Sequence, residues 1–258
     1  MSGLDQALDW LGDPVSCETC PHRADLLAAG RCKPLSACVH DRYAKRIDRF
    51  FSINPDLAGC YLDHPFFEVR AVAARSANIF LLPRLIDDPD PEVRWAVALR
   101  LPRRYLLRLR ADPDRKVRVA VASRLQGVDL APLMNDSDYY IRLVTARRLP
   151  DEMLPVMMHD PEMEVRIEVA SRIGEDWLPS MVFDEEPMVR LAVAERLRPD
   201  QLPILADDPD WRVRYYVAEH AIPSCLSRLV DDPEEEVRVL ARSRLDHFLD
   251  GFLERKGD

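Results

Sequence analysis

The hydrophobic positions of this chain recur with one period from residue 61 to the end. A Val-Arg or Ile-Arg pair returns every 24 residues: Val69, Val93, Val117, Ile141, Val165, Val189, Val213 and Val237, each followed by arginine. A fixed period of this length identifies an array of stacked supersecondary units. With the Val/Ile position as zero, +5 is alanine in seven repeats, from Ala74 to Ala218. Position +13 is leucine in seven, from Leu82 to Leu226, and +16 is always Leu or Met. Positions 0, +4, +5 and +8 share one face of a helix, and apolar residues at +2 and +3 widen that face. Position −5 is aspartate in seven repeats, often followed by proline, as in Asp88-Pro89 and Asp160-Pro161. Aspartate accepts unpaired N–H groups at a helix start, and proline suits the first helical position. The pattern therefore predicts a helix from about −4 to +8 in each repeat.

The second half of the repeat is short. Leucines at +13 and +16, with proline at +14 in Pro83, Pro155, Pro179 and Pro203, leave room for a single helical turn or a 3₁₀ segment. Alternation with period two is absent, which argues against a strand. The expected fold is all-α: a solenoid of eight 24-residue repeats spanning residues 61–258, with a distinct segment at 1–60. The pattern decays beyond +8 of the last repeat, where Asp250 replaces leucine, so residues 251–258 read as a terminal cap. Stacked repeats require such caps and present long surfaces suited to binding.

The arginine at +1 occurs in every repeat, and Arg or His recurs at +7, as in Arg100, Arg124 and Arg196. One reading is a basic ladder for an anionic partner. The other is structural: +1 falls among apolar positions, so its guanidinium is semi-buried and needs an acceptor. The aspartate at −5, of its own or the next repeat, is the candidate, and the structural reading is favoured because every repeat shares the feature. Trp95, Tyr139, Tyr140, Trp177, Trp211, Tyr215 and Tyr216 could anchor a partner. Packing between repeats is the favoured reading for them.

Charge narrows the function classes. The net charge is −9, and the segment from Tyr61 onward holds 29 basic and 37 acidic residues. Neither nucleic acid nor an anionic membrane is an expected partner. No stretch approaches the ~20 apolar residues of a membrane span, and the first residues lack a secretory pattern, so a cytoplasmic location is expected.

Four of six cysteines crowd between Cys17 and Cys38, while Cys60 and Cys225 stand apart. Cys17 and Cys20 form a CxxC pair, and Cys32 and Cys38 complete four candidate ligands. Four thiolates suit a tetrahedral zinc or a four-cysteine iron–sulfur cluster, and spacing alone leaves the metal open. Arg23, Arg31, Lys33, Arg42, Lys45 and Arg46 outnumber Glu18, Asp25 and Asp41, which offsets an anionic metal–thiolate centre. His22 and His40 are alternate ligands that four cysteines make unnecessary. Residues 39–51 read as an amphipathic helix, with Tyr43, Ile47, Phe50 and Phe51 placed to cover the open end of repeat one.

Together these features resemble the leucine-rich repeat variant proteins with an N-terminal iron–sulfur cluster. The run from Asp112 to Leu125 matches the repeat of that family. The resemblance implies an α-helix paired with a 3₁₀ helix in a right-handed superhelix, and a [4Fe–4S] cluster on Cys17, Cys20, Cys32 and Cys38. It also implies an association with nitrogen-fixation gene regions. No nucleophile–base pair, phosphate loop or carboxylate dyad stands out, so an enzyme ranks last. The leading expectation is a redox-linked scaffold for an unidentified protein partner. The alternatives are an electron carrier that docks a partner and a zinc-stabilised scaffold without redox chemistry.

Overall fold

A computed structural model describes residues 6–254, with side chains through 249. Among the described residues there are only helices and turns, apart from two isolated bridges, Leu8 with Pro14 and Lys33 with Ala37. The chain forms two compact units, Met1–Leu133 and Met134–Asp258. The first contains the cysteine segment, helix α1 (Ala44–Ile53), and the repeat helices α2 (Phe67–Ser76), α3 (Pro91–Ala98) and α5 (Arg115–Ala122); the single turn α4 is Arg103–Leu106. The second contains α6 (Tyr139–Arg148), α7 (Met163–Ala170), α8 (Pro187–Ala194), α9 (Trp211–His220), the single turn α10 (Pro223–Leu226) and α11 (Glu235–Glu254). α11 continues through residues 251–254, where a polar cap was expected; side chains from residue 250 on, Leu253 included, are not described, and residues 255–258 lie outside the described residues.

The second half of the repeat is 3₁₀ helix in most repeats, for example Ile79–Leu85, Asp151–Met157 and Glu175–Ser180. Pro83, Pro155 and Pro179 sit inside these segments. Short 3₁₀ pieces tolerate them because few i→i−4 bonds are there to lose. In the first seven repeats the residues at 0, +4 and +5 are buried, as with Val165, Val169 and Ala170, and the Leu or Met side chains at +13 and +16 close the layer below. In the first unit α1 packs on α2 and α2 on α3; in the second, α6 to α9 pack in succession and α9 meets α11.

The helix start differs from the expectation. The repeat helices begin at −2, those of the first seven repeats end at +5 to +7, and the N-cap is the residue at −3. Asp90, Asp138 and Asp210 accept the N–H two residues on, and Asp114 accepts those of Lys116 and Val117. The aspartate at −5 sits one turn earlier and accepts the −3 N–H, as Asp88 does from Asp90 at 2.9 Å. The sequence thus carries two aspartates with separate tasks, and the outer one is committed to the neighbouring repeat. Asp114→Ala is expected to cost about 1 kcal/mol of stability in urea unfolding. Glu162→Ala, at a cap position whose side chain makes no cap bond, should cost less.

The recurrent arginines hold the repeats together. Arg94 binds Asp112 of the next repeat through two bonds of 2.8 and 2.9 Å, and its third nitrogen donates to the carbonyls of Asp88 and Pro89. Arg70–Asp88, Arg142–Asp160, Arg166–Asp184, Arg190–Asp208 and Arg214–Asp232 repeat the geometry. Arg142, Arg166, Arg190 and Arg214 are more deeply buried than expected, Arg190 and its partner Asp208 each 6% exposed, whereas Arg70 and Arg94 are half-buried as expected. The arginine at +7 has a different role. Arg100 donates to the carbonyls of Ala74 and Ala77, and Arg124 to those of Ala98 and Leu101. These are the last carbonyls of the preceding repeat helix, where a cation also meets the negative end of the helix dipole.

Four of the seven candidate aromatic residues depart from the packing expectation. Tyr139, Tyr140, Trp177 and Trp211 are exposed, and Trp95 lies under the Lys116 ammonium, 4.0 Å from the ring centre. Tyr139 and Trp211 sit at −2, Tyr140 at −1 and Trp177 at +12, all exposed, whereas Trp95, Tyr215 and Tyr216 at +2 and +3 are half-buried.

Candidate metal centre

The four cysteines lie on three short turns fastened to α1 and the first repeat. Cys17 and Cys20 enter a turn that closes with the Arg23 N–H on the Cys20 carbonyl. The helical turn Arg23–Leu27 follows, and Gly30, with φ of 68°, reverses the chain toward Cys32. Lys33 and Ala37 then exchange both backbone hydrogen bonds at 2.8 Å around a tight turn in which Leu35 has φ of 61°. That closure puts Cys32 and Cys38 on the two residues that flank the bridge.

Anchors to the fold surround the loop. The Cys38 N–H donates to the Arg46 carbonyl of α1. Asn54 donates to the carbonyls of Arg31 and Phe50, tying the loop to the end of α1. Arg46 pairs with Asp41 at 2.8 Å, both buried, and Asp41 also accepts the Tyr43 N–H. This Asp41 turn explains why residues 39–43 are not helical and α1 begins only at Ala44. Ile47, Phe50 and Phe51 are fully buried beneath it, whereas Tyr43 is exposed, in partial departure from the expected apolar face.

Electrostatics show the sulfurs as neighbours. Burial pushes the Cys32 thiol up, and the charges of Cys20, Cys17 and Asp25 add to the shift. Cys38 is raised to about 11: burial pushes it up most, the N–H groups of His40 and Asp41 oppose that, and the charges of Asp41 and Cys20 add to the rise. Cys38 is buried, while Cys17, Cys20 and Cys32 are partly exposed. Thiolates that repel one another and are partly desolvated are the donor set a cationic centre would relieve, because metals bind the deprotonated sulfur. Two backbone N–H groups aimed at one sulfur suit an iron–sulfur site, whose potential responds to such bonds. The residues present therefore fit the group. Among the described residues no three His, Cys, Asp or Glu side chains are grouped as for a single ion.

The sequence pattern marked Phe50 and Phe51 but not Tyr61, which completes an aromatic wall with them. Tyr61, just before the first repeat, is joined to His22 by a 2.5 Å hydrogen bond and packs on Phe50 and Phe51. Burial, then the nearby Cys20, Cys60 and Cys38, raise its hydroxyl to about 12. His22 also stacks near His40, whose buried Nε2 finds no hydrogen-bond partner. Burial and the neighbouring His64 and His22 lower the His40 pKa. Both histidines stand beside the cysteines. Cys60 is exposed, and Cys225 is buried in α10.

Comparison with known proteins places this architecture. Residues 7–59 match the family model described as "LRV protein FeS4 cluster". A solved structure described as a leucine-rich repeat variant with a novel repetitive structural motif superposes with a TM-score of 0.84. It shares 45% identity, covering 90% of this chain and 99% of that one. The chain therefore belongs to the leucine-rich repeat variant family, and its N-terminal segment is an iron–sulfur domain of that family. An "Uncharacterized 27.7 kDa protein in nifB 3'region" of Rhodobacter capsulatus is 51% identical over 86 residues. That stretch is 33% of this chain and 35% of the relative.

Proposed function

We propose that this protein is an iron–sulfur scaffold that binds a protein partner through its repeats, in connection with nitrogen fixation. The observation that carries the reading is the confinement of four cysteines to the segment matched by the iron–sulfur family model, on turns fastened to the first repeat. Cys17, Cys20, Cys32 and Cys38 would hold a [4Fe–4S] cluster, which when bound supplies one-electron redox chemistry. Asn54, Arg46 and the N–H groups of His40 and Asp41 orient the loop and the Cys38 sulfur. Phe50, Phe51 and Tyr61 exclude water from the inner side. The nitrogen-fixation link rests on the name of the Rhodobacter relative and on the family resemblance.

A specific observation also favours the electron-carrier alternative: Cys17, Cys20 and Cys32 are partly exposed, which leaves the outer side open to a docked redox partner. Protein purified without oxygen should be brown and contain about four irons per chain. Cys17→Ser, Cys20→Ser, Cys32→Ser and Cys38→Ser should each bleach it, and Cys225→Ser should not. Colourless protein carrying one zinc would overturn the reading. A reversible midpoint with electron transfer faster than partner dissociation would select the carrier over the scaffold.

A further inference from the structure

The repeats act as controls for one another. At one exposed edge, position +15 faces position −6 of the same repeat. Three repeats carry an ion pair there: Arg84 with Asp63 at 3.2 Å, Arg108 with Asp87 at 2.8 Å, and Arg228 with Asp207. Repeats four to six, centred on Ile141, Val165 and Val189, abandon it. Position +15 becomes Val156, Ser180 and Ile204, and position −6 becomes Asn135, His159 and Phe183. Val156, Phe183 and Ile204 are 69, 78 and 51% exposed, so large apolar groups face water where sister repeats place charge. Repeat three also lacks the pair but carries only Ala111 and Pro132.

Three successive clefts open along this edge, all within the unit Met134–Asp258. Each is lined by one arginine–aspartate pair and by these apolar side chains: Arg142–Asp160 with Val156, Arg166–Asp184 with Phe183, and Arg190–Asp208 with Ile204 and the shared Phe183. The three arginines are spent on their aspartates, and no exposed lysine or arginine lines a cleft; the exposed His159 lines the first two. Glu185 and Asp207 do line them, each with a side chain 80% exposed. The whole unit shares that sign. Residues 134–258 hold 16 basic and 28 acidic side chains, whereas residues 1–133 hold 20 basic and 17 acidic. The net charge of the chain is thus concentrated on the unit that carries the apolar edge.

We propose that this edge of repeats four to six is a docking site for an extended, basic segment of a protein partner, with an apolar side chain at every third position. The inference deepens the scaffold reading and rests on it. Spacing sets the conformation of the segment. Stacked helices lie ~8–10 Å apart, and a polyproline II chain returns to the same face every three residues, about 9 Å on. A β-strand returns every two residues, about 6.7 Å on, and falls out of step with the clefts. Basic residues between the apolar ones meet the acidic rim and speed encounter.

The full chain, purified without oxygen, is titrated by calorimetry with blocked peptides of four Leu-Pro-Arg repeats, four Leu-Pro-Glu repeats, or six Leu-Arg repeats. The Leu-Pro-Arg peptide should bind at least about tenfold tighter than either of the others. Phe183→Asp with Ile204→Arg installs the ion pair of repeats one, two and seven in repeat six, and Asn135→Asp with Val156→Arg does the same in repeat four, two clefts earlier. Each double variant should weaken the Leu-Pro-Arg peptide about tenfold at unchanged melting temperature. Equal affinity for the basic and acidic peptides, or undiminished binding by both variants, would overturn the proposal. So would a wild-type dimer in sedimentation that the same variants dissolve, since the edge would then join two copies of this chain. Iron content is read on the same samples. Peptide binding by iron-free protein would sink the cluster reading and leave this one standing; brown protein that ignores the peptide would do the reverse.

Discussion

Arg190→Ala is expected to destabilise the second unit by about 3–5 kcal/mol, the usual cost of leaving a buried charge without its partner. Arg190 sends two bonds of 2.7 Å to Asp208 and a third nitrogen to the carbonyls of Asp184 and Glu185. Its removal strands the Asp208 carboxylate, which is 6% exposed, and leaves the carbonyls short of a donor. Lysine cannot rescue the variant, because a single ammonium cannot span a two-oxygen carboxylate and two carbonyls at once. The double variant Arg190→Ala with Asp208→Ala should recover part of the loss, since no charge is then stranded. Arg108→Ala, which breaks an exposed pair with Asp87, should cost no more than about 1 kcal/mol. Urea unfolding of the four variants reads the differences directly. An Arg190→Ala loss no larger than that of Arg108→Ala would show that the inner ladder does not hold the repeats.

The ladder also sets an acid limit. At Asp232 burial pushes the carboxyl pKa up, but the Arg214 hydrogen bond, the Glu234 N–H and nearby arginine charge outweigh it, and the net shift is downward. A lowered folded pKa means that the contribution is complete above the unfolded value near 4 and disappears as pH falls through the lower folded value. Stability from this pair should therefore be flat from neutral pH down to about 4 and fall below it. Arg214→Ala should remove most of that fall.

The sequence made the ladder partly legible. The invariant 24-residue step fixed which residues are equivalent, and helical spacing put the +1 arginine among apolar side chains, so the need for an acceptor followed. The acceptor's repeat was left open, because the rise from one helix to the next cannot be read from spacing within one helix. The same ignorance misassigned the helix start. Asp88 and Asp90 both have cap chemistry, and only the claim of Arg70 on Asp88 shows which one is left to cap. At the metal centre the four cysteines were evident as ligands, but their setting was not. His22 meets Tyr61 across 39 residues, and Asn54 reaches Arg31 across 23; contacts that far apart leave no local pattern. The break in the +15 and −6 ion pairs was present in the sequence, yet it became meaningful only once those two positions were seen to touch.

Loss of the cluster should loosen the first repeat and leave the distant ones unchanged. Cys38 is one residue from the Lys33–Ala37 loop and is bonded through its own N–H to α1 at Arg46. Asn54 binds the other end of the loop at Arg31, next to Cys32. His22 of the first cysteine turn holds Tyr61. Each route therefore ends on α1 or on the segment leading into α2, and α1 packs directly on α2. Without a metal the partly desolvated cysteines no longer share a cation, and folding that was linked to metal binding weakens locally. Repeat arrays couple mainly to nearest neighbours, so the disturbance should decay through repeats two and three. Hydrogen exchange on loaded and cluster-free protein measures this residue by residue. Amides of α1 and of residues 71–77 should exchange on the order of tenfold faster without the cluster, a loss of about 1.4 kcal/mol of local protection. Residues 213–218 should be unaltered. Cys38→Ser should reproduce the pattern, and Tyr61→Phe, which removes only the His22 bond, should give a weaker version with the iron retained. Identical protection of residues 71–77 in loaded and cluster-free protein would mean that the head does not report its state to the repeats, and a partner bound there could not sense the cluster.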